Sequence, residues 1–183
     1  MDKAYQLLKS IYGYDSFRPQ QKEIIDYVVA GGDALVLMPT GGGKSVCYQI
    51  PALMLDGVAL VVSPLISLMK DQVDALQANG VNAEALNSSN DEYANRLIFE
   101  RCSRGEIKIL YISPERLMAE ITRLQKSVKV SMIAIDEAHC VSQWGHDFRP
   151  EYTQLGVLTE YFPNVPILSL TATADKITKT DIV

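Results

Sequence analysis

Short apolar runs alternate along the chain with longer amphipathic stretches. The runs Ala34–Met38, Val58–Val62, Lys108–Ile112, Met132–Ile135 and Ile167–Leu170 are rich in Val, Ile and Leu. They are apolar on both faces, as parallel strands are when helices cover both sides of a sheet. A weaker strand is predicted within Val81–Leu86. Between the runs, helical spacing predicts helices over Pro19–Ala30, closed by Gly31-Gly32, and over Lys44–Leu55. Further helices are predicted over Leu65–Asn79 before Gly80, Asp91–Ser103 near Gly105, Pro114–Lys126, and around Tyr152–Tyr161 before Pro163. Another begins at Asp175. Strand and helix alternate at least five times. This is the pattern of an α/β domain: a mostly parallel, doubly wound sheet with helices on both faces and right-handed crossovers. Ligands of such folds bind beyond the C-terminal ends of the strands. No internal repeat and no low-complexity segment interrupts the alternation.

Composition narrows the class. With 183 residues, 48% of them apolar and 21% charged, the chain has the size and core of one folded domain rather than a disordered segment. The net charge of −5 excludes a polybasic surface dominating the whole chain. Charge is uneven, however. Residues 51–100 carry 2 basic and 7 acidic groups, whereas residues 101–150 carry 8 basic and 6 acidic, so a polyanion contact is expected in the latter. The three cysteines, Cys47, Cys102 and Cys140, form no CxxC pair, which favours a reducing compartment over a disulfide framework. His139 and His146 with Cys140 lack a fourth ligand at sensible spacing for zinc. The longest strongly apolar stretch, Val58–Met69, is interrupted by Ser63, Pro64 and Ser67, and the N-terminus MDKAYQLLKS has no apolar core of a signal peptide. A soluble, cytoplasmic chain with no membrane partner is expected.

Two motifs carry chemistry. The strand Ala34–Met38 runs into Pro39-Thr-Gly-Gly-Gly-Lys-Ser45, followed by a helix. Thr40, Gly41, Gly42 and Gly43 form a loop whose backbone N–H groups can turn inward around a phosphate. The helix N-terminus adds positive potential. Lys44 can reach the β- and γ-phosphates, and the Ser45 hydroxyl can ligate Mg²⁺. Met38 stands where the strict phosphate-loop pattern has its first glycine, so the match is to a relaxed form. Downstream, the strand Met132–Ile135 ends in Asp136-Glu-Ala-His139. Asp136 can hold Mg²⁺ through water, and Glu137 can position and deprotonate an attacking water. His139 fits either a relay to a second site or the cap of a turn.

These motifs, with Ser169-Leu-Thr-Ala-Thr-Ala174 behind them, resemble the first RecA-like motor domain of a superfamily 2 helicase. More narrowly, the chain resembles the RecQ family of DNA helicases, and bacterial members most of all. The resemblance is carried by Phe17-Arg-Pro-Gln-Gln21, Met38–Leu53 (MPTGGGKSVCYQIPAL), Val61–Val73 (VVSPLISLMKDQV), Tyr111–Leu117 (YISPERL) and Asp136–Tyr152 (DEAHCVSQWGHDFRPEY). These motifs spread over nearly the whole chain.

The resemblance implies a RecA-like P-loop NTPase domain that uses ATP and Mg²⁺. It implies a 3′–5′ DNA helicase of repair and recombination, acting on single-stranded DNA and duplex junctions. Tyr14 and Arg18 resemble the pair that stacks on adenine, and Gln21 the glutamine that reads its edge; a π-face, a guanidinium and an amide suit a purine. Gln143–Arg149 resembles the aromatic-rich loop that couples DNA to ATP hydrolysis. From spacing alone Trp144 reads as core, but the resemblance makes Trp144 and Phe148 platforms for single-stranded bases. Arg149 fits either phosphate or DNA. Thr171 and Thr173 resemble the coupling motif between the two sites. Ser63 and Ser113, each before a proline after a buried strand, suit sugar–phosphate contacts.

Helicases of this kind are built from two RecA-like domains, with an arginine finger on the second. That domain and the family's zinc-binding and winged-helix regions are not in these residues, so residues 1–183 are expected to form a single RecA-like domain that binds nucleotide and unwinds nothing alone. Competing readings are a nucleotide-binding module without motor function, an RNA helicase, and a P-loop kinase. The long loop Cys140–Tyr152 and the FRPQQ stretch speak against the RNA helicase, and SLTATA has no place in a kinase.

Overall fold

The computed structural model describes residues 3–18, 20–37, 44–63, 66–86, 91–136, 158 and 160–171. In chain order these give α1 (Lys3–Leu7), running on through a π-helical turn at Leu8–Tyr12, then α2 (Gln21–Val29), β1 (Ala34–Leu37) and α3 (Lys44–Met54). They continue with β2 (Val58–Val62), α4 (Ile66–Ala78), β3 (Ala83–Leu86), α5 (Glu92–Ser103) and β4 (Ile109–Ile112). The last are α6 (Pro114–Ser127), β5 (Val130–Ile135) and β6 (Ile167–Thr171).

Local chemistry sets several of these boundaries. Asp91 caps α5, its carboxylate accepting from the Ala94 N–H at 2.7 Å. Ser113 caps α6 in the same way, with Pro114 in the first turn, where its missing N–H is no loss. The expected Pro114–Lys126 helix thus starts where the spacing put it. The N-terminal helix is not among the elements the spacing predicts; it is one short turn held by packing. Ala4 and Leu8 bury against Ile25 of α2 and Val46 and Ile50 of α3. Of the helix expected around Tyr152–Tyr161, Leu158, Glu160 and Tyr161 are helical; the rest of it, and the helix from Asp175, lie outside the described residues.

The six strands form one sheet in the order β1-β6-β5-β2-β4-β3, and every pairing is parallel. Alternate residues feed two separate cores. From β2, Ala59 and Val61 face a core with Tyr48 and Ala52 of α3 and Met69, Val73 and Leu76 of α4. Val58, Leu60 and Val62 face the other, with Phe99 of α5, Leu117, Ile121 and Leu124 of α6, and Leu158 and Phe162. The expected parallel sheet with helices on both faces is the architecture found. Because all strands run one way, all their C-terminal ends share one edge, and Lys44, Ser63 and Asp136 follow there.

Candidate functional site

Along that edge the register aligns the segments that leave the sheet. Ile112 pairs with Val62, Val62 with Ile135, and Ile135 with Ser169. On the far side, Leu37 pairs with Thr171, so Thr171 ends the strand next to β1. One residue past the ladder stand Ser113, Ser63 and Asp136. The backbone continues the pairing: Asp136 N–H donates to the Val62 carbonyl at 2.8 Å, and Ser63 N–H to the Ile112 carbonyl at 3.1 Å.

Lys44 opens α3 from the end of the loop that follows β1. Its Nζ lies 3.7 Å from an Asp136 carboxylate oxygen. The side chains are 14% and 19% exposed, so the pair is largely sheltered without being sealed. The lysine of the glycine loop and the aspartate of the acidic motif, distant in sequence, therefore face each other across the sheet edge. Ser45, half-buried in the first turn of α3, lies beside Lys44 in sequence. A hydroxyl and a carboxylate are hard oxygen donors of the kind a small divalent cation takes, so Ser45 and Asp136 fit Mg²⁺ by donor chemistry.

On the N-terminal side, Tyr14 is 55% exposed, while Phe17 packs edge-on against Tyr5 at 4.9 Å between ring centres. Gln21 is buried at the start of α2. Its Oε1 accepts from the Arg18 backbone N–H at 2.7 Å, and its own N–H donates to the Arg18 carbonyl at 3.1 Å. The turn joining Arg18 to Gln21 is thereby pinned from both directions. α1 and α2 both pack on α3, so Tyr14, Arg18 and Gln21 are carried by elements that lean on the helix Lys44 begins.

The Ser113 hydroxyl caps α6, accepting from the Arg116 N–H, and the residue is buried. Ser63 is buried at the same edge. Thr40, Gly41, Gly42, Gly43, Glu137, His139, Trp144, Phe148, Arg149 and Thr173 lie outside the described residues.

Sequence reasoning assigned no role to a buried polar cluster behind Lys44. Tyr48 and Tyr111 share a hydroxyl–hydroxyl bond of 2.7 Å, and the Gln49 amide donates to Tyr111 at 3.0 Å and to Gln72 at 2.9 Å. Tyr12 donates to the Gln49 carbonyl oxygen. The only signal was polar groups inside apolar runs, Tyr48-Gln49 in α3 and Tyr111 in β4. Burial, followed by proximity to other titrating groups including Asp136, pushes Tyr48 well above the ordinary phenol range. Burial likewise raises Tyr111 and Tyr12.

The model of the DEAD/DEAH box helicase family matches residues 18–180. The chain belongs to that family. Within the DEAD/DEAH box helicases, it is 58% identical over 180 residues to the ATP-dependent DNA helicase RecQ of Haemophilus influenzae, covering 98% of this chain and 29% of that one. It is 56% identical to RecQ of Pasteurella multocida, covering 98% and 28%, and 47% identical to the probable ATP-dependent DNA helicase RecS of Bacillus subtilis, covering 100% and 37%. The resemblance to RecQ helicases carried by the motifs is thus borne out. The chain spans less than two fifths of the length of these relatives. The fold is shared with a hypothetical ATP-dependent RNA helicase from Sulfolobus tokodaii, at a TM-score of 0.74 and 20% identity, covering 100% of this chain and 54% of that one. It is shared also with the Mycobacterium smegmatis helicase Lhr bound to ssDNA and AMP-PNP, at 0.69 and 18%, covering 90% and 24%. This DEAD/DEAH box helicase chain therefore has the RecA-like fold its motifs led one to expect.

Proposed function

We propose that residues 1–183 form the ATP-binding half of the motor of a 3′–5′ DNA helicase. In this reading the complete protein couples Mg–ATP hydrolysis to translocation on single-stranded DNA and to unwinding at duplex junctions. The observation that carries it is the Lys44–Asp136 pair at 3.7 Å on the C-terminal edge of the sheet. A cation and a carboxylate at that edge are what a metal–phosphate group needs, one for the phosphate oxygens and one for the metal. Ser45 and Asp136 would hold Mg²⁺, which would supply charge neutralisation for the phosphates. Lys44 draws the terminal phosphates to the start of α3, where Thr40, Gly41, Gly42 and Gly43 lend backbone N–H groups. Glu137 orients and deprotonates the attacking water, and His139 relays between this site and the DNA. Tyr14 and Arg18 hold the adenine ring while Gln21 reads its edge.

On the same reading Ser63, Trp144, Phe148, Arg149, Thr171 and Thr173 contact DNA or couple it to ATP. The relatives named as DNA helicases support DNA over RNA as the polymer. Their greater length supports a second RecA-like domain in cis, supplying the arginine finger. The bacterial relatives support a cytoplasmic setting, and no helix among the described residues is long and apolar enough to cross a membrane.

The deciding experiment titrates a fluorescent ATP analogue into the chain with Mg²⁺, using Lys44→Ala as the comparison. Saturable, Mg²⁺-dependent binding that falls in the variant is expected. Equal affinity of the two proteins would overturn the phosphate-site assignment.

A further inference from the structure

The buried cluster behind Lys44 joins four chain segments, each leading into the site. Tyr12 precedes Tyr14; Tyr48 and Gln49 lie in α3 behind Lys44; Tyr111 lies in β4 just before Ser113; Gln72 lies in α4, the helix that follows Ser63. Tyr48, Gln49 and Tyr111 are almost wholly buried within a core that is otherwise apolar.

Such a cluster has a cost. Each polar group withdrawn from water must recover a partner, and apolar side chains of the same shape would serve stability about as well. What a satisfied network adds is a fixed geometry, because directional bonds hold only one relative placement of the elements that share them. Here the elements held are α3, α4, β4 and the N-terminal segment. Gln49 is the junction: its carbonyl oxygen takes Tyr12, and its amide reaches both Tyr111 and Gln72. It lies about 7.5 Å along the helix axis from Lys44, within one rigid stretch.

We propose that the Gln49–Gln72 hydrogen bond, with the Gln49 amide held in place by Tyr111, transmits nucleotide occupancy at the start of α3 to α4, the helix that follows Ser63. The proposal rests on the nucleotide reading above. Phosphate oxygens arriving at Lys44 compete with Asp136 for its charge and displace the first turn of α3. The helix carries that displacement to Gln49, and the amide passes it across the core to α4. Gln49, Tyr111 and Gln72 act through other residues and are positioning residues.

Hydrogen exchange of this chain, with and without Mg²⁺ and the non-hydrolysable analogue AMP-PNP, tests it. In the wild-type chain, AMP-PNP is expected to change amide protection both in α3 and in α4 around Gln72. Gln72→Leu removes only the link to α4 and leaves Gln49 its bond to Tyr111; Tyr111→Phe keeps the ring and removes the hydroxyl. Both variants are expected to bind AMP-PNP within about twofold of wild type, since neither touches the phosphate site. Gln72→Leu keeps the response in α3 and loses it in α4, whereas Tyr111→Phe, which leaves the Gln49–Gln72 bond in place, keeps the response in both helices. A merely structural role would lower stability and leave the α4 response in place. An α4 response that persists in Gln72→Leu, or that is missing from a wild-type chain that binds AMP-PNP, overturns the proposal. A wild-type chain that does not bind AMP-PNP overturns the nucleotide reading itself, and this proposal with it.

Discussion

At the scale of single residues, the Lys44–Asp136 pair joins two motifs whose proximity no local pattern states. Each was legible: a lysine after three glycines, a carboxylate closing a buried strand. That they meet follows from all-parallel pairing, which puts both strand ends on one edge. If Lys44 serves the phosphates, Lys44→Ala removes charged hydrogen bonds worth about 1.5–3 kcal/mol, so nucleotide affinity should fall about 10- to 100-fold. The thermal midpoint should move little, and comparing affinity with melting temperature checks both. A second residue-scale expectation concerns pH. Burial pushes the Cys47 and Cys102 thiols from an ordinary value near 9 up to about 12. Below pH 9 the folded and unfolded chains both keep these protons. Between 9 and 12 the unfolded chain releases them and the folded chain does not, so stability falls as pH rises. The slope is roughly 1 kcal/mol per thiol per pH unit, steepened by the raised phenols of Tyr12, Tyr48 and Tyr111 above pH 10. Denaturant midpoints measured from pH 7 to about pH 11 should be flat at first and then drop; a flat profile throughout would contradict the burial. The buried tyrosines were not legible as a cluster, because each partner lies on a different element and no spacing records a tertiary bond.

At the scale of elements, the strands and most helices were legible because each pattern has a direct physical cause. β2 is Val-Ala-Leu-Val-Val, apolar at every position, and it is buried at every position between two helical layers. Helix ends followed their caps at Asp91 and Ser113. The first helix escaped because its stability lies in the Ala4 and Leu8 contacts rather than in its sequence. Turns show how local a constraint can be. Gly57, entering β2, has φ +127°, and a Cβ there would stand 2.7 Å from the Lys129 carbonyl oxygen. Gly80, after α4, has φ +83° with nothing within 4 Å of a Cβ. Gly80→Ala should cost only the left-handed strain, about 1–2 kcal/mol, whereas Gly57→Ala adds a backbone clash and should cost more. Chemical denaturation of the two variants side by side checks the order, and equal losses would mean the turn at Gly57 relaxes freely.

At the scale of the whole molecule, one edge of one sheet gathers Lys44, Ser45, Ser63, Asp136 and Thr171. The RecQ relatives are about three times the length of this chain. The expected division of labour follows: this chain binds nucleotide, while rapid hydrolysis awaits a positive group placed on the transferred phosphate from elsewhere. An arginine finger accounts for about 10³–10⁵ in rate in other NTPases. Steady-state hydrolysis by residues 1–183 should therefore be slow and nearly unchanged by single-stranded DNA, even at saturating ATP, and no duplex should be unwound. A longer chain that includes the proposed second domain should hydrolyse ATP faster by a factor of that order and respond to single-stranded DNA more than to RNA. Glu137→Gln in the longer chain should keep ATP binding and lose turnover, which separates binding from chemistry. Fast, DNA-stimulated hydrolysis by residues 1–183 alone would place the missing positive group inside this domain. Arg149, thirteen residues beyond Asp136 in the sequence, would then be the first residue to replace, because its guanidinium would have to answer the phosphate rather than the DNA.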